Sequence, residues 1–169
     1  MSHIVSPAVE ADIPAIASLR NSVAESLTHE HGPGHWSGAV TEQSVERDLK
    51  SSLVLVSRQG SRIVATARLA RKKPWAIDQT YFSPLRQPLY LNDMAVDPRH
   101  QRQGIGRQLL AEVTAFARVW PADGIRLDAY DSPAGAGGFY AKCGFREVAR
   151  VSYRGVPLIY YELLLGDLG

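Results

Sequence analysis

Residues 89–113, LYLNDMAVDPRHQRQGIGRQLLAEV, limit what this chain can fold into more than any other stretch. An apolar run from Leu89 to Val96 reads as a strand, and Asp97-Pro98 ends it, because proline cannot donate to a ladder. From Gly104 to about Trp120, the residues Ile105, Leu109, Val113, Phe116 and Trp120 recur at helical spacing, forming one apolar stripe. The first amides of such a helix have no acceptor within it, and the positive end of its dipole stands behind them. Gly104 and Gly106 carry no side chains, so a bulky anion can approach the amides of Gln103 to Arg107 closely. Arg99, Arg102 and Arg107 add positive charge. The spacing predicts a pyrophosphate site between a strand and a helix.

Two familiar phosphate-binding patterns do not fit. A dinucleotide fold places its glycines almost directly after the strand and a third glycine three residues beyond the second. Here Asp97 to Gln103 intervene, and Leu109 stands in the third position. Asp128 has a plausible distance for a ribose contact but the wrong context. No Gly-Lys-Ser/Thr follows, which excludes a P-loop.

The remaining chain supplies strands and helices in a definite order. Ile4 to Val9 reads as an edge strand because of Pro7. Asp12 is placed to cap a helix running to about Leu27, with Pro14 tolerated in its first turn. HEHGPGHWSGA, residues 29–39, has no periodicity and reads as a loop. Thr41 caps a short helix over Glu42 to Ser51, and Leu53 to Ser57 with Arg62 to Ala70 forms an antiparallel hairpin. Lys72 to Pro88 is irregular. Gly124 to Tyr130 alternates as a strand, a small helix spans about Gly135 to Cys143, and two final strands turn at Arg154-Gly155. Strand, two helices, three strands, helix, strand, helix and two strands imply an α/β domain over residues 1–169, a mixed sheet flanked by helices.

Composition narrows the setting. Nineteen basic against seventeen acidic residues leave +2, too little to argue for nucleic acid or a membrane surface. No apolar run is long enough for a transmembrane span, the N-terminus lacks a signal-peptide pattern, and Cys143 has no disulfide partner. A cytoplasmic location is the expectation.

The glycine turn, in the form Gln101, two residues, Gly104, one residue, Gly106, resembles the signature of the GCN5-related N-acetyltransferase (GNAT) superfamily. The resemblance continues through RLDAY to FYAKCGF at 139–145. It implies a GNAT-like, mostly antiparallel twisted sheet of about seven strands with about four helices. It also implies an N-acetyltransferase with acetyl-CoA as cosubstrate. The pantetheine arm would lie on Met94, Ala95 and Val96, where two parallel strands splay apart. The diphosphate would sit at Gln101, Arg102, Gln103, Gly104, Ile105, Gly106 and Arg107. Asp131-Ser132 stands where the family often has an asparagine against the cofactor.

Tyr140 matches the tyrosine that protonates the departing thiolate; its plainer reading is a helix residue packed on the sheet. An alkyl ammonium costs about 4–5 kcal/mol to neutralise at pH 7, so removing the amine's proton matters more than giving one to sulfur. Asp93 matches a family carboxylate that acts as a base through water, or else satisfies a neighbouring backbone group or arginine. Asn92 and Asp93 are expected to face opposite sides of the strand. His29, His31 and Trp36 lie where the family builds its acceptor pocket. Tyr81, with Trp75 and Phe82, either closes that pocket or pins a long loop to the core. The histidine spacing does not match zinc sites, so no metal is expected. Cys143 reads as a small packing residue rather than a nucleophile.

The acceptor is expected to be a primary amine on a small molecule, with a peptide or protein amine as the alternative, acetylated by direct transfer in a ternary complex. A non-catalytic acyl-CoA-binding module is the rival of another class. Pairing of exposed sheet edges into a homodimer stays open.

Overall fold

Proline, buried β-branched residues and positive-φ turns set which segments become strands and where each ends. The computed structural model describes residues 3–166. Seven strands form a mixed sheet in the order β1-β2-β3-β4-β5-β7-β6. They are β1 Ile4–Pro7, β2 Leu53–Gln59, β3 Arg62–Ala70, β4 Pro88–Val96, β5 Gly124–Tyr130, β6 Arg146–Tyr153 and β7 Val156–Leu164. The helices are α1 Ile13–His31, α2 Glu42–Ser51, α3 Ile105–Val119 and α4 Gly137–Lys142. The β4–β5 pair is parallel, and the other described ladders are antiparallel. This is the mixed sheet with helices that the element order implies, and it is mostly antiparallel as the resemblance implies.

The chain resolves into two compact units, one made of residues up to Leu69 with Asn92–Val113, the other of Ala70–Leu91 with the residues from Thr114 onward. In the first, β1 occupies the sheet edge, as Pro7 requires, and pairs with β2 from Ile4↔Arg58 to Pro7↔Leu55. Gly60, at φ 62°, closes the β2–β3 hairpin. Ile13, Ile16, Ala17 and Leu19 of α1 pack with Val45, Val54, Val56 and Ile63 in one apolar cluster. Each such side chain, fully buried, contributes about 2 kcal/mol.

Two local expectations are corrected here. The carboxylate of Asp12 does not cap α1; it accepts from the amide of Val9 at 2.9 Å and pairs with Arg58. Burial would raise this carboxyl, but the Arg58 bond and the Val9 amide outweigh it and hold it below the usual range. Helix α1 also runs past Leu27 to His31, because nothing between Ser26 and His31 breaks a helix; Gly32, at φ 81°, ends it. Thr41 does cap α2, accepting from Ser44 N at 3.1 Å.

In the second unit β5 is central, with Ile125 and Leu127 almost fully buried. Its ladder with β4 joins Pro88, Leu89 and Tyr90 to Gly124, Ile125 and Arg126. Ile77, Phe82, Tyr90, Leu158 and Tyr160 form the core beneath the irregular 72–88 stretch. Phe82 stacks on Tyr160 at 5.1 Å, and Tyr160 donates to the Ala76 carbonyl, so that loop is pinned to the sheet. Tyr90, Arg126, Glu162 and Arg146 occupy one register row across four strands. Glu162, 1% exposed, accepts from the Ser83 hydroxyl and amide and from Arg146. Burial acts to raise its carboxyl, yet these donors outweigh it and the net direction is downward.

Candidate active site

The glycine turn starts from a buried anchor. Asp97, 5% exposed, accepts from the Arg99 amide at 2.9 Å and from Arg62 at 3.1 Å, while its own amide donates to the Val64 carbonyl. Gln101 donates its side-chain amide to the Val96 carbonyl at 3.2 Å, tying the loop back to the strand it leaves. Arg102 (φ 64°) and Gly104 (φ 80°) are both left-handed, and two such residues so close together curl the main chain sharply. Within α3 the residue that bonds Gly104's carbonyl is Gln108, so the amides ahead of it have no intrahelical acceptor. A Cβ built on Gly104 meets nothing within 4 Å. Backbone conformation rather than crowding therefore favours glycine there, and the space beside its Cα is open. Residues 101–104 and Arg107 are exposed, while Ile105 is buried as the first residue of the α3 stripe. Such a turn suits an anion.

Upstream, Met94 and Val96 are half-buried and Ala95 is buried. Asp93, at φ 54°, is left-handed in the middle of β4. That conformation interrupts the alternation expected of Asn92 and Asp93 and bends the strand, as a bulge does. The carboxylate of Asp93 meets Arg20 of α1 at 3.0 Å and Arg68 of β3 at 2.9 Å. Asp48 of α2 joins the same group, 3.5 Å from Arg20 and 3.8 Å from Arg68. Burial raises the Asp48 carboxyl; Arg68 opposes this and Asp93 adds to it, and the net direction is upward. The arginine-satisfying reading of Asp93 thus has its partners in place. Sequence reasoning missed Arg20, Asp48 and Arg68 because they lie 25 to 73 residues from Asp93 along the chain and carry no local signal.

In the second unit Tyr140 sits on α4, 9% exposed. Its ring meets Phe139 edge-on at 5.3 Å, Phe145 at 5.8 Å, and Tyr161 of β7 at 6.1 Å. Burial first, and the charge of Asp128 second, push its hydroxyl well above the ordinary phenol range. A hydroxyl so held stays protonated, as a proton donor must. Asp128 is a further residue that sequence reasoning left outside the site; the alternation of β5 is its only signal. Asp131 lies 3.5 Å from Arg150, and Ser132 has a buried hydroxyl oxygen. Gly135 is fixed by crowding, because a Cβ there would stand 1.9 Å from the Tyr130 carbonyl oxygen.

The acceptor candidates divide between the units. His29 and His31 belong to the last turn of α1, not to a loop; the unbroken helical run from Ser26 onward carries them there. Trp36 donates from its indole nitrogen to the Gly32 carbonyl at 2.9 Å, and Thr28 and Ser37 share a hydrogen bond at 2.6 Å, so this segment is folded back on the helix end. Tyr81 is half-exposed and lies edge-on to Tyr160 at 5.9 Å. Among the described residues, no three His, Cys, Asp or Glu side chains gather as a metal cluster.

The parallel strands β4 and β5 are thus linked through a glycine turn and the helix α3, and this segment is the frame on which the candidate residues stand. The model of the acetyltransferase (GNAT) domain matches residues 50–147, more than half of the chain, and the chain belongs to that family. It carries the acetyltransferase domain of the GNAT type. Among solved structures, a ribosomal-protein-alanine N-acetyltransferase from Brucella melitensis is 22% identical at a TM-score of 0.75, over 96% of this chain and 99% of that one. A putative acetyltransferase from Salmonella typhimurium (yncA), solved with its cofactor acetyl-CoA, is 21% identical at 0.72, over 99% and 96%. A ribosomal-protein-S18-alanine N-acetyltransferase from Escherichia coli is 19% identical at 0.71, over 99% and 97%. At such identities these likenesses speak for the fold. No curated protein matches the chain by sequence.

Proposed function

We propose that the protein acetylates a primary amine on a small molecule by direct transfer from acetyl-CoA in a ternary complex. The observation that carries this reading is the left-handed turn at Arg102 and Gly104, open where a diphosphate would lie. Gln103, Gly104, Ile105, Gly106 and Arg107 donate backbone amides to that diphosphate, with Arg102 as added charge. The Gln101 side chain holds the turn to β4, while Met94, Ala95 and Val96 offer main-chain groups to the pantetheine amides, as a neighbouring strand would. Asp131 and Ser132 flank the cofactor at the end of β5.

The ammonium loses a proton to water, and the neutral amine attacks the thioester carbonyl and forms the carbon–nitrogen bond. The tetrahedral oxyanion collapses as the carbon–sulfur bond breaks. The second amine proton passes through water, which restores the proton Tyr140 gives up. Tyr140 gives its proton to the leaving sulfur; its raised hydroxyl supports a donor that is always charged with that proton. Asp93 acts as a positioning residue rather than a base, because Arg20 and Arg68 already occupy its oxygens. His29, His31, Trp36 and Tyr81 remain the candidate acceptor contacts.

A thiol-release assay with acetyl-CoA across an amine library tests this. Turnover of small amines at rates exceeding those of peptide N-termini and lysines supports it. Turnover of peptides alone would move the acceptor to a protein, as for the ribosomal-protein-alanine N-acetyltransferases of Brucella and E. coli. Tight CoA binding without turnover of any amine would favour a non-catalytic binding module.

A further inference from the structure

The second unit contains a concave site lined by none of the residues assigned above to the cofactor or the transfer. A cavity of about 280 Å³ is lined by Arg71, Lys73, Arg86, Gln79, Gln87 and Trp120, among others, and by no acidic side chain. Three cations and two amides thus face a space floored partly by an indole. Arg71 lies over the Trp120 ring, 5.5 Å from its centroid. Lys73 is held in place by the carbonyls of Ile77 at 2.6 Å and Pro74 at 3.1 Å. The backbone at Arg86 and Gln87 is fixed as well, since both amides donate to Asp123, at 2.7 and 3.0 Å. Among the described residues Arg71, Lys73 and Arg86 form no ion pair, so their charge is not cancelled by a carboxylate contact.

The opposing charges are weaker or already engaged. Asp123 spends both oxygens on the two amides, and Asp78, within electrostatic reach of Lys73, accepts from the Thr80 amide and hydroxyl. The C-terminal end of α3 carries a partial negative charge of about half a unit. Two of its last carbonyls, Phe116 and Ala117, already accept from Trp120 and Ala122.

We infer that this cavity is a binding site for a small organic anion, an apolar or aromatic body carrying a carboxylate or a phosphate. The size and concavity fit a small molecule. The whole-chain charge of +2 is too small to retain a polyanion, whereas three cations around one cavity suffice for a single anionic group. The apolar body lies against Trp120, and the anion meets Arg71 and Arg86. Lys73, with its nitrogen on two carbonyls, supplies charge rather than a movable donor.

Nuclear magnetic resonance on protein saturated with CoA tests this, since CoA blocks the diphosphate turn. The probes are phenyl phosphate, benzoate and neutral benzyl alcohol, and the readouts are the Trp120 indole signal and the Arg86 and Gln87 amides. Saturable shifts with an anion, at least tenfold tighter than with the alcohol, are expected, and the better anion assigns phosphate or carboxylate. Arg71→Gln with Arg86→Gln should weaken binding at least tenfold, the corresponding lysine pair should retain most of it, and thiol release without the probe should be unchanged. Absence of shifts at about 10 mM anion, equal binding of the alcohol, or undiminished binding by the glutamine pair would each overturn the proposal.

Discussion

In the proposed reaction Tyr140 and Gly104 meet the two most local demands, a proton and a place for a diphosphate. Tyr140→Phe removes only the proton and keeps the ring contacts with Phe145 and Tyr161. Its kcat should fall about 100-fold while the Kd for CoA, by calorimetry, stays within about twofold. With the hydroxyl held above the ordinary phenol value of 10.0, the wild-type kcat profile should show no descending limb from this group up to that pH. Gly104→Ala meets no clash but forces a side chain to φ 80°, a strain of about 1 kcal/mol, and puts a methyl on the open face. CoA affinity should drop about tenfold or more, with an unchanged circular dichroism spectrum. Gly104 was legible from local spacing, because a positive-φ glycine is a property of a few neighbouring residues, whereas Tyr140 was singled out only by the resemblance that FYAKCGF carries.

Strands and helices bring in what local spacing misses. The bend of β4 at Asp93 is held from α1 by Arg20 and from β3 by Arg68. If Asp93 positions rather than deprotonates, Asp93→Asn should keep the acidic limb of the kcat/KM profile and raise the KM for acetyl-CoA a few-fold. A loss of about 100-fold in kcat together with that limb would restore Asp93 as the base. The Tyr90–Arg126–Glu162–Arg146 row makes the corresponding point about stability. Glu162→Ala leaves two arginines beside a cavity. It should destabilise the protein by about 3 kcal/mol in urea unfolding, near the lower end for broken buried pairs because Arg146 is largely exposed. A period-2 pattern marked these segments as strands, but register pairs residues 16 to 36 apart, which no short window reads.

Charge balance over the whole chain sets its response to pH. Asp12 and Glu162 are held below their ordinary values of 3.8 and 4.5, so each contributes stability that is fully present above those values. That contribution is lost as pH falls through the lower folded-state values. Asp48, held above 3.8, has the opposite sign: its cost at neutral pH is relieved as pH falls through its raised value. Urea midpoints should therefore stay level or rise slightly from pH 7 towards 5, then fall steeply below about pH 4. A midpoint falling steadily from pH 7 would contradict these assignments.

By itself the sequence determined the element order, the edge position of β1, the strand–turn–helix at 89–113 and the family that this segment marks. The elements follow from periodicity, proline geometry and glycine conformation, and the family from the resemblance of a short motif, all of them short-range. Only the tertiary structure decided that α1 carries His29 and His31, that Asp93 is left-handed between two arginines, that Asp12 serves Arg58, and that Asp128 acts on Tyr140. Burial and ion pairing depend on which distant segments meet, and that meeting is a property of the folded chain rather than of any stretch along it.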